Sequence, residues 1–297
     1  MSTGASPPAI GSWIAGRYRI DAPLGSGTMG AVYRGTRADG MPVAIKLMHP
    51  ESIERPESRR RFEREAAALA AVTHPNVIGV LELADLAGAP CLVMELLEGH
   101  TLEALLARER LAPEHAIAIA DQMLAGLAFA HAHGILHRDI KPENVFLARQ
   151  PGGATVAKLL DFGLAKFTEG AMWGSGSVLT QHGAILGTPA YMAPEQVFGP
   201  TVDARTDVYG AGVVLFELLT GSWPFVAEEI TDMFRAHAID PVPALRAVRP
   251  ELDARPELEA VVKRAMAKRR EDRFADAREM RVALSRVPRP VARIVAG

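Results

Sequence analysis

Cysteine is nearly absent from this chain. A single one, Cys91, stands among 297 residues, so no disulfide can close within the chain. That excludes the disulfide-stapled secreted class and points to a reducing compartment. Its setting, Pro90-Cys91-Leu92-Val93-Met94, reads as a buried strand with the thiol as a small core residue. Lysine is scarce as well, supplying 6 of the 33 basic residues, at positions 46, 141, 158, 166, 263 and 268. Arginine serves wherever a general positive charge is wanted, so each lysine carries more information than usual. No apolar run approaches the roughly 18 residues of a membrane helix. The best, 208–216, stops at Glu217. The N-terminus lacks a basic stretch and holds Pro7 and Pro8, which argues against a secretory leader. These absences predict a cytoplasmic protein with no membrane span.

Charge of one sign is not in excess: 33 Lys+Arg stand against 35 Asp+Glu, a formal charge of −2. With 48% hydrophobic and 23% charged residues the composition is that of a globular protein, which excludes global disorder. At about 100–200 residues per domain, the length suits one large domain or two lobes. From Arg255 onward there are 12 basic and 6 acidic residues. Because acids are interleaved, this stretch reads as a solvated helix face and no nucleic-acid partner is expected.

The local pattern changes along the chain. Residues 1–16 are small, Pro-containing and aperiodic, and read as a flexible N-terminal arm. Short segments rich in Val, Ile and Tyr follow at 18–20, 31–34 and 42–47, separated by glycine-rich turns. A helix is predicted over 56–72, barred from extension by Pro75, and two more strands over 77–83 and 90–96. Beyond Gly99 the pattern turns helical. Pro113 suits the first turn of a helix with an approximate apolar face of Ile117, Ala120, Leu124, Leu127 and Phe129, and Gly134 suits its stop. Residues 208–219 are apolar on nearly every side, which implies a buried helix. Late helices are expected over 257–268 and 276–287, with an irregular stretch at 226–256 around Pro241, Pro243, Pro250 and Pro256. The predicted fold is α+β in two lobes. A small five-stranded antiparallel lobe with one main helix spans 17–97, a larger mainly α-helical lobe spans 98–286, and 287–297 forms a tail.

Between the first two strands lies Leu24-Gly25-Ser26-Gly27-Thr28-Met29-Gly30-Ala31-Val32. Glycines let a backbone turn tightly and bring N–H groups close to phosphate oxygens. Alone the spacing is weak, arising by chance about 0.2 times in a chain of this composition, and a plain hairpin explains it equally. Ala44 and Lys46 then fall on one face of a strand, where a small residue leaves room for a planar ring and an ammonium beyond it can reach phosphates. A held lysine needs a counter-charge. Glu65 is the first candidate, placed where the helix turns apolar, and Glu63 is its competitor. The densest chemistry is His137-Arg138-Asp139-Ile140-Lys141-Pro142-Glu143-Asn144, followed by Asp161-Phe162-Gly163. Carboxylates and an amide in loops beside strands can bind a divalent metal and orient a hydroxyl.

With these motifs in place, and with Ala193-Pro194-Glu195, Asp207 and Arg273 following them, the chain resembles the eukaryotic-like (Hanks-type) serine/threonine protein kinase family. The resemblance is closest to bacterial members and covers about residues 18–286. It implies a protein-kinase-like fold with ATP between the lobes. Residues 24–32 would cover the phosphates, while Val32, Ala44 and Phe146 would enclose the adenine. The backbone of Glu95 and Leu97 would bond its edge, behind Met94. Lys46 would hold the α- and β-phosphates, steadied by Glu65. Asn144 and Asp161 would coordinate Mg²⁺, with Mn²⁺ as the alternative ion. Asp139 would orient the acceptor hydroxyl and take its proton, and Lys141 would stabilise the γ-phosphate, a pattern that favours Ser/Thr over Tyr as acceptor.

The resemblance further implies an activation segment over 161–195, ordered when a phosphate pairs with Arg138. Phosphorylation candidates are Thr180, Thr168, Ser175 and Ser177. Thr180 matches a habitual autophosphorylation position, whereas His182 replaces a second threonine common in relatives. Thr188 would shape the substrate site, and Glu195 with Arg273 would form a structural ion pair. The implied partners are protein substrates with Ser/Thr acceptors and, for autophosphorylation, a transient homodimer. Two alternatives stay open on the residues alone: an ATP-binding pseudokinase scaffold and a small-molecule phosphotransferase. The presence of Lys46, Asp139, Asn144 and Asp161 weighs against the first. Lys141 and the full segment ending Ala193-Pro194-Glu195 weigh against the second.

Overall fold

The computed structural model of the chain describes residues 8–27, 30–49, 56–86, 89–162, 189–199, 202–252 and 255–288. They divide into two units, Met1–Gly99 with Leu147–Ala171, and His100–Phe146 with Met172–Gly297.

In the first unit, strands β1 (Trp13–Ile14), β2 (Tyr18–Gly27), β3 (Gly30–Arg37), β4 (Pro42–Met48), β5 (Val80–Leu86) and β6 (Ala89–Glu95) form one sheet, with α1 (Pro56–Ala70) between β4 and β5. The strand order is β1-β2-β3-β4-β6-β5 and every pairing is antiparallel. β4 lies in the middle and is buried from Val43 to Met48, which matches its nearly unbroken apolar run. Ile14, Ile20, Tyr33, Val43, Ile45, Cys91 and Val93 share one core. Helix α1 turns Phe62, Ala66 and Leu69 inward at helical spacing, each no more than 2% exposed.

The sheet has six strands where five were predicted. The extra one comes from the supposed arm. Trp13 pairs with Arg19 and Ile14 with Tyr18 through a tight turn, and Ile14 is fully buried. Two large apolar residues between Gly11 and Gly16 are too few to show a strand period, yet burying one of them is enough to fix this segment. The Tyr18 hydroxyl donates to Glu82 Oε2 at 2.8 Å and Arg17 pairs with the same carboxylate, tying β2 to β5.

β7 (Gly99–Thr101) and β8 (Val145–Arg149) carry the chain between the units, and β9 (Thr155–Leu159) follows β8. The stretch 147–171, predicted inside the large lobe, groups with the first unit. The reason is hydrogen bonding: Leu159 bridges Val77 in parallel, its N–H donates to Asn76 O at 2.9 Å, and Asn76 Nδ2 donates to Ala157 O at 2.8 Å.

The second unit is helical: α2 (Leu102–Leu106), α3 (Pro113–Ala132), α4 (Pro194–Phe198), α5 (Ala204–Thr220), α6 (Ile230–Ile239), α7 (Leu245–Val248), α8 (Pro256–Ala265) and α9 (Ala277–Ser285). Pro113 opens α3, as its fixed φ and missing N–H allow. α5 is buried along nearly its whole length, is capped by the Asp203 side chain accepting from Arg205 N–H at 2.8 Å, and stops at the left-handed Gly221. Where an irregular stretch was expected at 226–256, α6 forms. Its sequence holds no proline between Pro224 and Pro241, so prolines bound the helix without entering it. Among the described residues no helix is long and apolar enough to cross a membrane.

Ile14→Ala should lower stability by about 2 kcal/mol or more through loss of buried side chain. The same change at Ile10, which is 57% exposed, should leave the urea midpoint near its starting value.

Candidate active site

The first unit presents the glycine hairpin, Lys46 and Asp161. β2 and β3 pair Gly25 with Val32, Ser26 with Ala31 and Gly27 with Gly30; Thr28 and Met29 at the tip lie outside the described residues. The three glycines answer different demands. A Cβ at Gly30 would stand 2.0 Å from Leu47 O, so packing alone dictates that glycine. Cβ atoms at Gly25 and Gly27 would meet nothing within 4 Å among the described residues, so the protein's own packing does not require them. Leu24 at this end is 53% exposed.

On β4, Ala44 and Lys46 are both buried, facing Met94 and Leu92 across the ladder. Lys46 Nζ lies 2.6 Å from Asp161 Oδ1. Asp161 has φ 48°, in the left-handed region that favours glycine, and follows directly on the clamped end of β9. Glu65 sits half-buried on α1 beside the inward Phe62 and Ala66, whereas its competitor Glu63 is engaged by Arg59 at 3.0 Å. At the end of β6, Glu95 N–H donates to Gly79 O at 2.9 Å. Its carboxylate takes Gly79 N–H and Lys158 Nζ, both at 2.7 Å. Leu97 follows two residues on.

The second unit holds the other cluster. Asp207, at the start of α5, is fully buried and accepts three hydrogen bonds: His137 N–H at 2.8 Å, Arg138 N–H at 2.6 Å and His131 Nε2–H at 2.9 Å. Burial alone would raise its pKa, but the His131 bond, the electrostatic influence of both histidine rings and the His137 amide outweigh that and hold it below the ordinary value. Arg138, at φ 62°, is held in a conformation a non-glycine residue adopts only under constraint. Asp139 comes next. Its N–H donates to His137 Nδ1 at 3.3 Å. Asn144 Nδ2 donates to Asp139 O at 2.7 Å and to its carboxylate at 3.2 Å, and Lys141 Nζ stands 3.8 Å from the same carboxylate. Asn144, on a 3₁₀ turn over Pro142–Asn144, is buried, and Phe146 lies two residues beyond it on β8.

The Glu195–Arg273 pair is bidentate, with contacts of 2.7 and 2.9 Å. Arg273 also donates to the carbonyls of Ala267, Arg205 and Lys268, and Thr206 Oγ1 donates to Glu195 at 2.8 Å. Burial would raise the Glu195 pKa, but the bonds and charge of Arg273 bring it below its usual value. Thr168, Ser175, Ser177, Thr180 and Thr188 lie outside the described residues.

Sequence reasoning assigned no site role to Asp207, His131, Gln196 or Lys158. Asp207, quoted among the motif residues, carried a signal as the one acid in the first turn of a helix whose next nine residues carry no charge. Lys158 carried one too, as one of six lysines.

Residues 18–282 match the protein kinase domain family. Serine/threonine-protein kinase Pkn1 of Myxococcus xanthus is 40% identical over 281 residues, covering 94% of this chain and 39% of that protein. PknB of Mycolicibacterium smegmatis is 37% identical over 282 residues, covering 92% and 43%. The chain therefore spans less than half the length of either relative. A crystal structure of the PknI kinase domain from Mycobacterium tuberculosis superposes with a TM-score of 0.73 at 29% identity, covering 94% of this chain and 99% of that one. The chain belongs to the protein kinase family, whose members use ATP with a divalent cation.

Because the pKa values of Glu195 and Asp207 are lowered on folding, each carboxylate contributes stability that is complete above its unfolded value, about 4, and is lost as pH falls through the lower folded value. Urea unfolding should thus show lower stability at pH 3 than at pH 7, with a smaller fall in Glu195→Gln.

Proposed function

We propose that the chain is a serine/threonine protein kinase, moving the γ-phosphoryl group of ATP to a protein hydroxyl. The observation that carries this reading is the Asp139 cluster. A partly buried carboxylate has an ammonium 3.8 Å away and a buried amide donating to it, on a loop whose backbone is fixed by a fully buried acid. Such a carboxylate can align a hydroxyl and accept its proton as the oxygen attacks phosphorus, while Lys141 offers positive charge to the transferring group. The relatives carrying serine/threonine kinase names support the class of acceptor.

The residues fit ATP and a cation. Lys46 is the one lysine of the six-stranded sheet, buried and already beside a carboxylate, and is suited to the α- and β-phosphates. Gly25 and Gly27, not demanded by packing, would let the hairpin backbone approach the phosphates with Leu24, Ser26, Thr28, Met29, Gly30 and Ala31, while Val32, Ala44 and Phe146 would be the residues against the base, with Met94 behind it. Glu95 contributes its carbonyl, since its N–H is donated to Gly79, and Leu97 contributes its N–H. Asn144, whose amino group is turned to Asp139, and Asp161 would be the residues that hold Mg²⁺, or Mn²⁺ in its place, through their side-chain oxygens. Mg²⁺ characteristically uses one or two protein oxygens together with substrate phosphates, so a sparse donor set suits it. When bound, the ion neutralises charge on the phosphates. Glu65 would serve as a further counter-charge to Lys46.

Regulation follows from the same reading: autophosphorylation in a transient homodimer at Thr180, with Thr168, Ser175 and Ser177 as further acceptors, and Thr188 shaping the substrate site. The unpaired thiol of Cys91 is consistent with a cytoplasmic setting.

Incubation with γ-labelled ATP and Mg²⁺ should label Ser/Thr of the chain and of a basic protein substrate. Asp139→Asn should abolish labelling while retaining nucleotide binding. Lys46→Met should weaken nucleotide binding itself, and chelation by EDTA should stop the wild-type reaction. Labelling of Asp139→Asn at the wild-type rate would remove the assignment.

A further inference from the structure

Arg138, the left-handed residue before Asp139, is held on both of its peptide groups. Its N–H donates to Asp207 on α5 at 2.6 Å. Its carbonyl accepts from Gln196 Nε2 on α4 at 2.9 Å. Gln196 is buried, 5% exposed, and its other amide atom, Oε1, accepts Ala193 N–H at 3.0 Å. Only one orientation of the side-chain amide gives a donor to a carbonyl and an acceptor to an N–H, so the two partners fix it without ambiguity.

The carbonyl that Gln196 holds belongs to the peptide linking Arg138 to Asp139. The N–H of that peptide is bound by His137 Nδ1, within the loop itself. The plane of this peptide sets the direction in which the Asp139 side chain leaves the backbone. Gln196 therefore contributes to that plane from the segment that follows Ala193-Pro194. Its own place is rigid, because the neighbouring Glu195 is locked in the bidentate pair with Arg273.

We propose that Gln196 is a positioning residue that transmits the placement of the Ala193-Pro194-Glu195 segment to Asp139, by holding the 138–139 peptide through the Arg138 carbonyl. This rests on the reading of Asp139 as the group that aligns the acceptor hydroxyl. The bond to Ala193 caps a short helix, a local role, whereas the bond to Arg138 reaches 58 residues away and acts on the chemistry. Small errors in aligning reacting groups cost far more rate than stability.

The two roles separate cleanly in Gln196→Glu. A carboxylate keeps the acceptor for Ala193 N–H, as glutamate does in capping motifs, but loses the donor and sets an oxygen against the Arg138 carbonyl. The expected result is a fall in kcat of about 10²-fold with KM for ATP within about twofold of wild type, together with faster hydrogen–deuterium exchange in the peptide 137–144. Gln196→Met, equal in length and without either bond, should show the same pattern. Wild-type kcat and wild-type exchange in Gln196→Glu would reduce Gln196 to a helix cap and overturn the proposal. Should the glutamate variant fail to fold, the methionine variant is read by the same two measurements, and unchanged exchange in it is equally fatal. If the wild-type chain transfers no phosphate, the functional reading fails separately. Exchange at 137–144 then still decides whether the coupling exists.

Discussion

A single carboxylate taken wholly out of water organises the second unit. Asp207 could not stay ionised at that depth without donors, and it has three: two consecutive backbone amides of the His137-Arg138-Asp139 loop and the His131 ring. The anion is thus satisfied only when that loop takes one particular path, and that path forces Arg138 to a positive φ. His131 is itself held, accepting Ala277 N–H on Nδ1 at 3.4 Å, so α3, α5 and α9 converge on one acid. The geometry around Asp139 inherits its definition from a group that takes no part in the chemistry.

The same logic recurs in the first unit with different materials. Asp161 also has positive φ, and its approach is set by hydrogen bonds from the 76–79 stretch to β9 and by the Glu95 carboxylate, which binds Gly79 and Lys158 together. Among the described residues, three non-glycine residues have positive φ, and two of them, Arg138 and Asp161, lie in the motifs of the candidate site. Local strain is concentrated in the candidate site, and buried polar networks hold it there.

Much of this was legible beforehand. The two-lobe α+β fold, the strands around Lys46, the Pro113 helix and the apolar α5 could all be read from period and punctuation, because each is long or bounded by a proline or glycine. The candidate site residues stood out because their motifs are dense. What escaped notice depended on distance in sequence. β1 is two residues long and gains its place only from the core that covers Ile14. The grouping of 147–171 with the small sheet comes from pairings with Val77 and Asn76, some eighty residues earlier. Gln196 looked like one more polar residue in a short helix, since nothing local reveals a bond to Arg138. Supporting groups are defined by what they touch, and periodicity is silent about that.

Cys91 gives the molecule a practical property. Its thiol is fully buried, and burial with the nearby Asp85 and Glu82 charges pushes its pKa up to about 12. The thiolate is the reactive form, so at neutral pH this sulfur is silent toward alkylating and oxidising reagents. A single cysteine placed by mutagenesis on the surface would be the sole reactive sulfur of the chain. Fluorescent dyes, spin labels or crosslinkers could be attached there with the native Cys91 left in the core.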